Sequence, residues 1–131
     1  MDRDEIAVLG ASLRQIDQRL LPIKEGMTKV WYQGGESYFD VVLELREGKI
    51  EWFQFTLRGK SISWQPHFSS FQTGGTNELY KDDLSFHPGS KLIENNQYQD
   101  KAFIELARSI LQTRAGETFF DKMLALFEQG N

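Results

Sequence analysis

Two runs decide how this chain folds: Ser37-Tyr-Phe-Asp-Val-Val-Leu-Glu-Leu45 and Ile50-Glu-Trp-Phe-Gln-Phe-Thr-Leu57. Both are rich in β-branched and aromatic residues and alternate with period two, the pattern of strands that bury one face. Gly34-Gly35, Glu47-Gly48 and Arg58-Gly59 punctuate them at hairpin spacing. The stretch from Met27 to Gln65 therefore reads as four antiparallel strands, with the rest of the chain built to cover them.

Register follows from parity. A two-residue loop at Glu47-Gly48 would pair Leu45 with Ile50 and split the phenylalanines of the third strand from the aliphatic face of the second. A three-residue loop, Arg46-Glu47-Gly48, pairs Leu45 with Lys49 and Val41 with Phe53. A one-residue slip carries a whole apolar set to the wrong side, so parity predicts the longer loop, with Gly48 at positive φ. A two-residue turn at Arg58-Gly59 pairs Leu57 with Lys60 and Phe55 with Ile62. A two-residue turn at Gly34-Gly35 pairs Val30 with Phe39, Trp31 with Tyr38, Tyr32 with Ser37 and Lys29 with Asp40. Val30, Tyr32, Phe39, Val41, Leu43, Leu45, Phe53, Phe55, Leu57, Ile62 and Trp64 then share the core face, with Val41, Phe53, Phe55 and Ile62 almost fully buried.

The opposite face is mixed. It carries Met27, Lys29, Trp31, Tyr38, Asp40, Val42, Glu44, Ile50, Trp52, Gln54, Thr56, Ser61 and Ser63. Trp31, Tyr38 and Trp52 form an aromatic patch there, either covered by another part of the chain or serving as an interaction surface.

The chain has 131 residues, enough for one domain spanning 1–131 with a core of its own. Its ten phenylalanines argue against disorder. The absence of cysteine removes disulfides, a thiol nucleophile and thiolate metal sites, and fits a reducing compartment. No apolar run reaches the length of a membrane span, and Met-Asp-Arg-Asp-Glu at the start is too polar for a signal peptide, so the expected location is cytoplasmic. The net charge is −4 and basic residues are scattered, so the electrostatic footprint of a nucleic-acid or anionic-membrane binder is missing.

Asp2 or Asp4 can cap a first helix running to about Leu20, with Ile6, Leu9, Leu13, Ile16 and Leu20 as its apolar stripe. Residues from about His67 to Asn96 lose the strand pattern; Ser69 to Thr73 and Leu84 to Phe86 are the candidate strands within them. Asn95 or Asn96 caps a helix from about Gln97 to Thr113, with Phe103, Leu106, Ala107 and Ile110 as its stripe. Arg114-Ala115-Gly116 breaks it. A last helix runs from about Glu117 to Glu128, and its Phe119, Phe120, Met123, Leu124, Leu126 and Phe127 cover more than one core-facing stripe, so a core or a subunit contact must take the excess.

Chemistry is sparsely signalled. His67 and His87 flank Glu78, Asp82 and Asp83, but the spacing matches no metal-ligand motif, and no metal or cofactor is expected. No serine stands in a nucleophile elbow, and Asp40 and Glu44 read as strand neighbours rather than an acid–base pair. Gly74-Gly75-Thr76-Asn77 has the composition of an anion-binding nest but no following lysine and helix, and reads as a turn. The expectation is an α+β domain: an N-terminal helix, an antiparallel meander of four or more strands, a long loop and two C-terminal helices. Its expected function is that of a non-enzymatic interaction module, such as an adaptor, chaperone-like protein or regulatory subunit. It would associate with itself as a homodimer, with the last helix as the favoured contact, or with another protein, through Trp31, Tyr38, Trp52, Phe119, Phe120, Met123 and Phe127. The alternative is a small apolar-ligand binder or enzyme with a pocket between the curved sheet and the helices, lined by Phe53, Phe55, Trp64 and Phe71, with His67 or His87 at its mouth.

Overall fold

A computed structural model describes residues 1–17, 26–76, 93–95 and 98–129. The elements are α1 (Arg3–Ser12), β1 (Arg14–Gln15), β2 (Thr28–Gln33), β3 (Asp40–Arg46), β4 (Lys49–Leu57), β5 (Lys60–Trp64), β6 (Gln72–Thr76), β7 (Ile93–Asn95), α2 (Lys101–Gln112) and α3 (Thr118–Gln129). The strands form one antiparallel sheet in the order β1-β2-β3-β4-β5-β6-β7. Val30, Val41, Leu43, Phe53, Phe55 and Ile62 of this sheet are fully buried in one cluster with side chains of all three helices. The α+β architecture is the one that the periodicity predicts.

The β3–β4 register differs from the parity argument. Leu45 lies opposite Ile50 and Arg46 opposite Lys49, so the loop is the two residues Glu47-Gly48, at φ 52° and 79°. Two positive φ values in succession suit the right-handed twist of the strands they join. The faces survive because a bulge stands in for the extra loop residue. The register shifts between Glu44 and Leu45, Glu51 is left over on β4, and beyond it Leu43 meets Phe53 and Val41 meets Phe55. Ile50 thereby joins the core cluster instead of the opposite face. Gly48 has its expected positive φ.

The β2–β3 connection is also longer than a Gly34-Gly35 turn. Gly34 N–H donates to the Phe39 carbonyl at 2.8 Å, Tyr38 sits at φ 61°, and Tyr32 pairs with Val41 rather than Ser37. The offset of four residues is even, so Val30 and Tyr32 stay on the core face. Phe39 causes the offset. Its ring folds under Gly34, where a Cβ would lie 2.0 Å from it, and it packs edge-on to Phe55 at 5.8 Å. Trp31 accordingly opposes Val42, and Lys29 opposes Glu44 at 4.0 Å, in place of the expected Tyr38 and Asp40 pairs. The Arg58-Gly59 turn and the β4–β5 register are as predicted.

α1 stops at Ser12, well short of Leu20. Asp2 caps it by accepting from Glu5 N–H at 2.8 Å. At its other end the chain turns extended at Leu13, Arg14 and Gln15 pair with β2, and Ile16 N–H donates to the Trp31 carbonyl at 2.8 Å. A sheet edge offering ladder hydrogen bonds outweighs the helical stripe, of which Ile6, Leu9 and Leu13 still serve the core. Leu20 lies outside the described residues. β6 begins at Gln72, so the expected strand Ser69 to Thr73 overlaps only its start, and Gly74 and Gly75 are paired strand residues rather than a turn. Leu84 to Phe86 lies outside the described residues. α2 is capped by Asp100, which accepts from Phe103 N–H at 3.1 Å, while Asn95 belongs to β7. Gln99 donates to the Phe71 carbonyl and Asp100 N–H to Thr73 Oγ1, tying the start of α2 to β6.

Arg114 joins the first helix to the last turn. Its Nη1 donates to the carbonyls of Gly10 and Leu13 at 2.9 and 2.7 Å, its Nη2 to Glu117 at 3.0 Å, and its guanidinium lies 4.7 Å from the centroid of Phe120. No helix among the described residues is long and apolar enough to cross a membrane.

Candidate functional site

The residues expected to form an interaction surface fall in two places. Phe120, Met123 and Phe127 are buried in the core, where Phe120 meets Tyr32 at 4.8 Å and Phe127 meets Phe71 at 4.5 Å, so they line no surface. Phe119 is half-buried against the same cluster. The apolar excess of α3 is thus absorbed by the chain's own sheet. Trp31, Tyr38 and Trp52 lie half-buried on the second face, where Trp31 Nε1 donates to Asp40 Oδ1 at 3.1 Å. That face is less open than its composition suggests, since Val42, Gln54, Thr56 and Ser61 at its centre are buried.

The alternative pocket is likewise filled by its own lining. Phe53, Phe55 and Phe71 are core residues, with Phe53 edge-on to Phe71 at 6.2 Å and Phe55 edge-on to Phe103 at 5.9 Å. Trp64 is half-buried at a separate groove, His67 is exposed with its ring 5.0 Å from Phe68, and His87 lies outside the described residues. Among the described residues no three His, Asp or Glu side chains are grouped to hold a metal ion.

A groove that composition did not announce opens between α1 and α2. The two helices run side by side in the same direction: Gly10 meets Ile110 and Thr113, Ile6 shares the groove with Leu106, and Met1 with Ala102. Contact is tightest at Gly10. Toward the helix N-termini the space widens into a cavity of about 480 Å³ floored by Leu57 and Phe103. Met1, at 50% exposure, belongs to its wall, and Val8, at 67%, stands on the outer side of α1 with exposed Ala7 and Ala11. Residues 4, 7, 8 and 11 share one helical face, so α1 turns Ala7, Val8 and Ala11 outward beyond Asp4, opposite the side it gives to the core.

Two cations stand at the mouth. Arg58 donates Nε and Nη2 to Glu36 at 2.7 and 3.1 Å and Nη2 to Glu5 at 3.1 Å, linking α1, the β2–β3 connection and the β4–β5 turn. These hydrogen bonds hold the Arg58 guanidinium more firmly protonated than usual and the Glu36 carboxyl below its usual range. Lys60 Nζ lies 3.4 Å from Asp100 and 5.9 Å from the centroid of Phe103. The Asp100 carboxyl is also held low, first by the Phe103 N–H and then by Lys60. Chemically the site is an apolar trough with fixed charges at its lip, suited to holding a complementary surface. Val8, out of register with the core stripe, was the one sequence signal for it. Arg58 and Lys60 read only as turn residues. No protein-family model, no curated protein and no solved structure matches this chain.

Proposed function

We propose that the chain is a non-enzymatic protein-interaction module that associates with a second copy of itself across the α1–α2 face. The observation that carries this reading is the apolar surface left over on α1: an exposed stripe of Ala7, Val8 and Ala11 beside an apolar groove. Charge supports the choice of occupant. The start of α1 is acidic on balance, with Asp2, Asp4 and Glu5 against Arg3, while the exposed side of α2 is basic on balance, with Lys101 and Arg108 against Glu105. Setting α1 of one copy against α2 of the other pairs opposite charges around an apolar centre, twice over, as a two-fold contact requires. The proposed contact is on α1 and α2 instead of α3. An adaptor or regulatory role is of this class, and the lack of cysteine is compatible with the cytoplasm.

Sedimentation tests the reading. The expected species at micromolar concentration has about twice the chain mass of 15.2 kDa, as a two-fold dimer requires. Val8→Glu should return it to monomer mass with an unchanged circular-dichroism spectrum and an unfolding midpoint that no longer depends on protein concentration, because a charge at the centre of an interface is strongly disfavoured. A wild-type species near 15.2 kDa at every concentration refutes it.

A second reading rests on the groove volume, about 480 Å³, which lies within the range of small-ligand pockets. Native mass spectrometry separates the two: a co-purified apolar ligand adds mass to the monomer, and self-association doubles it.

A further inference from the structure

We propose that a second groove, at the other end of β4, takes an acidic segment of a partner protein carrying a pair of apolar anchor side chains. The groove has a volume of about 400 Å³ and lies between the β3–β4 turn, the end of β5 and α3. Its apolar lining is Ile50, Trp64, Pro66, Ala125 and Leu126. The β-bulge creates it. By leaving Glu51 over, the bulge turns Ile50 inward beside Leu126, and bulges of this kind are over-represented where a strand is re-aimed next to a site. Trp64, half-buried, keeps part of its indole available for an anchor side chain to pack on.

Charge identifies the occupant. Lys49 and Lys122 stand on the rim, and neither is paired with a carboxylate among the described residues. Lys122 is held in place by donating Nζ to the Gly48 carbonyl at 2.7 Å. Glu51, the acid in the lining, lies 3.7 Å from Arg46 and is compensated. In a chain of net charge −4, the residues lining this trough thus carry two lysines against one glutamate. Such a rim steers and orients an acidic partner while the trough supplies the contact area. Self-association at α1 and α2 uses neither lysine, so the two proposals stand or fall separately.

The test is fluorescence anisotropy with a fluorescein-labelled peptide, Glu-Asp-Phe-Leu-Asp-Glu, added to the full chain. Saturable binding is expected, weakening as salt shortens the Debye length to about 3 Å near 1 M. Lys49→Glu with Lys122→Glu should weaken it at least tenfold. Ala125→Arg, at an exposed position, should block it without shifting the unfolding midpoint. Replacing the two apolar residues of the peptide by serine should also weaken it at least tenfold. No saturable binding, equal binding by the charge-reversed chain, or binding removed by Val8→Glu but not by Ala125→Arg would each overturn the proposal.

Discussion

Gly10→Ala probes the contact that positions α1 against α2. In an exposed helix interior this change would stabilise by about 1 kcal/mol, because glycine is the poorer helix former. Here the sign should reverse. A Cβ at position 10 would lie 1.8 Å from Thr113 Oγ1 and 3.0 Å from both Thr113 Cβ and the Ile110 carbonyl oxygen. Rotating the hydroxyl away relieves the shortest contact but breaks its 2.7 Å hydrogen bond to the Ile110 carbonyl, a loss of about 0.5–1.5 kcal/mol. The two longer contacts remain, and one is to backbone, so α1 must also shift off α2, an overpacking cost of about 1–3 kcal/mol. Set against the helical gain, the balance is a net loss of about 0.5–3.5 kcal/mol. Thr113→Ala removes Oγ1, so Gly10→Ala in that background should cost about 1 kcal/mol less, a coupling typical of residues in contact. Urea unfolding measures both, as a shift in midpoint at unchanged m-value. If Gly10→Ala stabilises the protein by about 1 kcal/mol in both backgrounds, the helices do not meet there and the groove geometry is wrong.

Phe55 is fully buried and edge-on to Phe39 and Phe103. Phe55→Ala should cost about 3–5 kcal/mol in the same assay, and a loss below about 1 kcal/mol would mean that this face is not the core. Acid should weaken the fold in a way that Arg58 controls. The Arg58 hydrogen bond holds the folded Glu36 carboxyl below its ordinary 4.5, as Arg114 does for Glu117, so the unfolded chain binds protons first as pH falls. That stabilisation is complete above the ordinary carboxylate range and is lost as pH drops through the folded values. Urea titrations from about pH 6 to about pH 3 should show stability falling, with a shallower slope in Arg58→Met; a slope that Arg58→Met leaves unchanged refutes the pairing.

The sheet was legible because alternation constrains faces more tightly than it constrains register. Two of the three predicted hairpin registers were wrong, yet no residue of β2 changed side, because the β2–β3 offset is even and the bulge at Glu51 compensates an odd loop change. A bulge cannot be read from period-two counting, and neither can a ring folded under a glycine, as Phe39 is. The first helix was overextended because Ile16 continues the spacing while a distant strand offers it a ladder bond. β7 lay beyond reach because Ile93-Glu94-Asn95 carries no alternation to detect. The grooves were hidden for a different reason: each is assembled from residues of three or four elements, and Lys49 and Lys122, at the second, are brought together only by the folded chain. The burial of Phe120, Met123 and Phe127 marks the converse error, since the core was larger than one helical stripe implied.

The bonds from Arg114 to the carbonyls of Gly10 and Leu13 span 104 and 101 residues of chain. A ribosome adding about 5–20 residues per second would make Gly10 roughly 5–20 s before it makes Arg114. The meander can close on itself during that interval, since its strands pair with their neighbours in order. α1 cannot, because both its clamp and its packing partner in α2 are still unmade. α1 can therefore dock fully only after the sheet and α2 have been made, and its stripe of Ile6, Leu9 and Leu13 spends the interval without the helix that will cover it. Conditions that slow synthesis should lengthen that exposure, and with it the chance that nascent chains associate before they are finished.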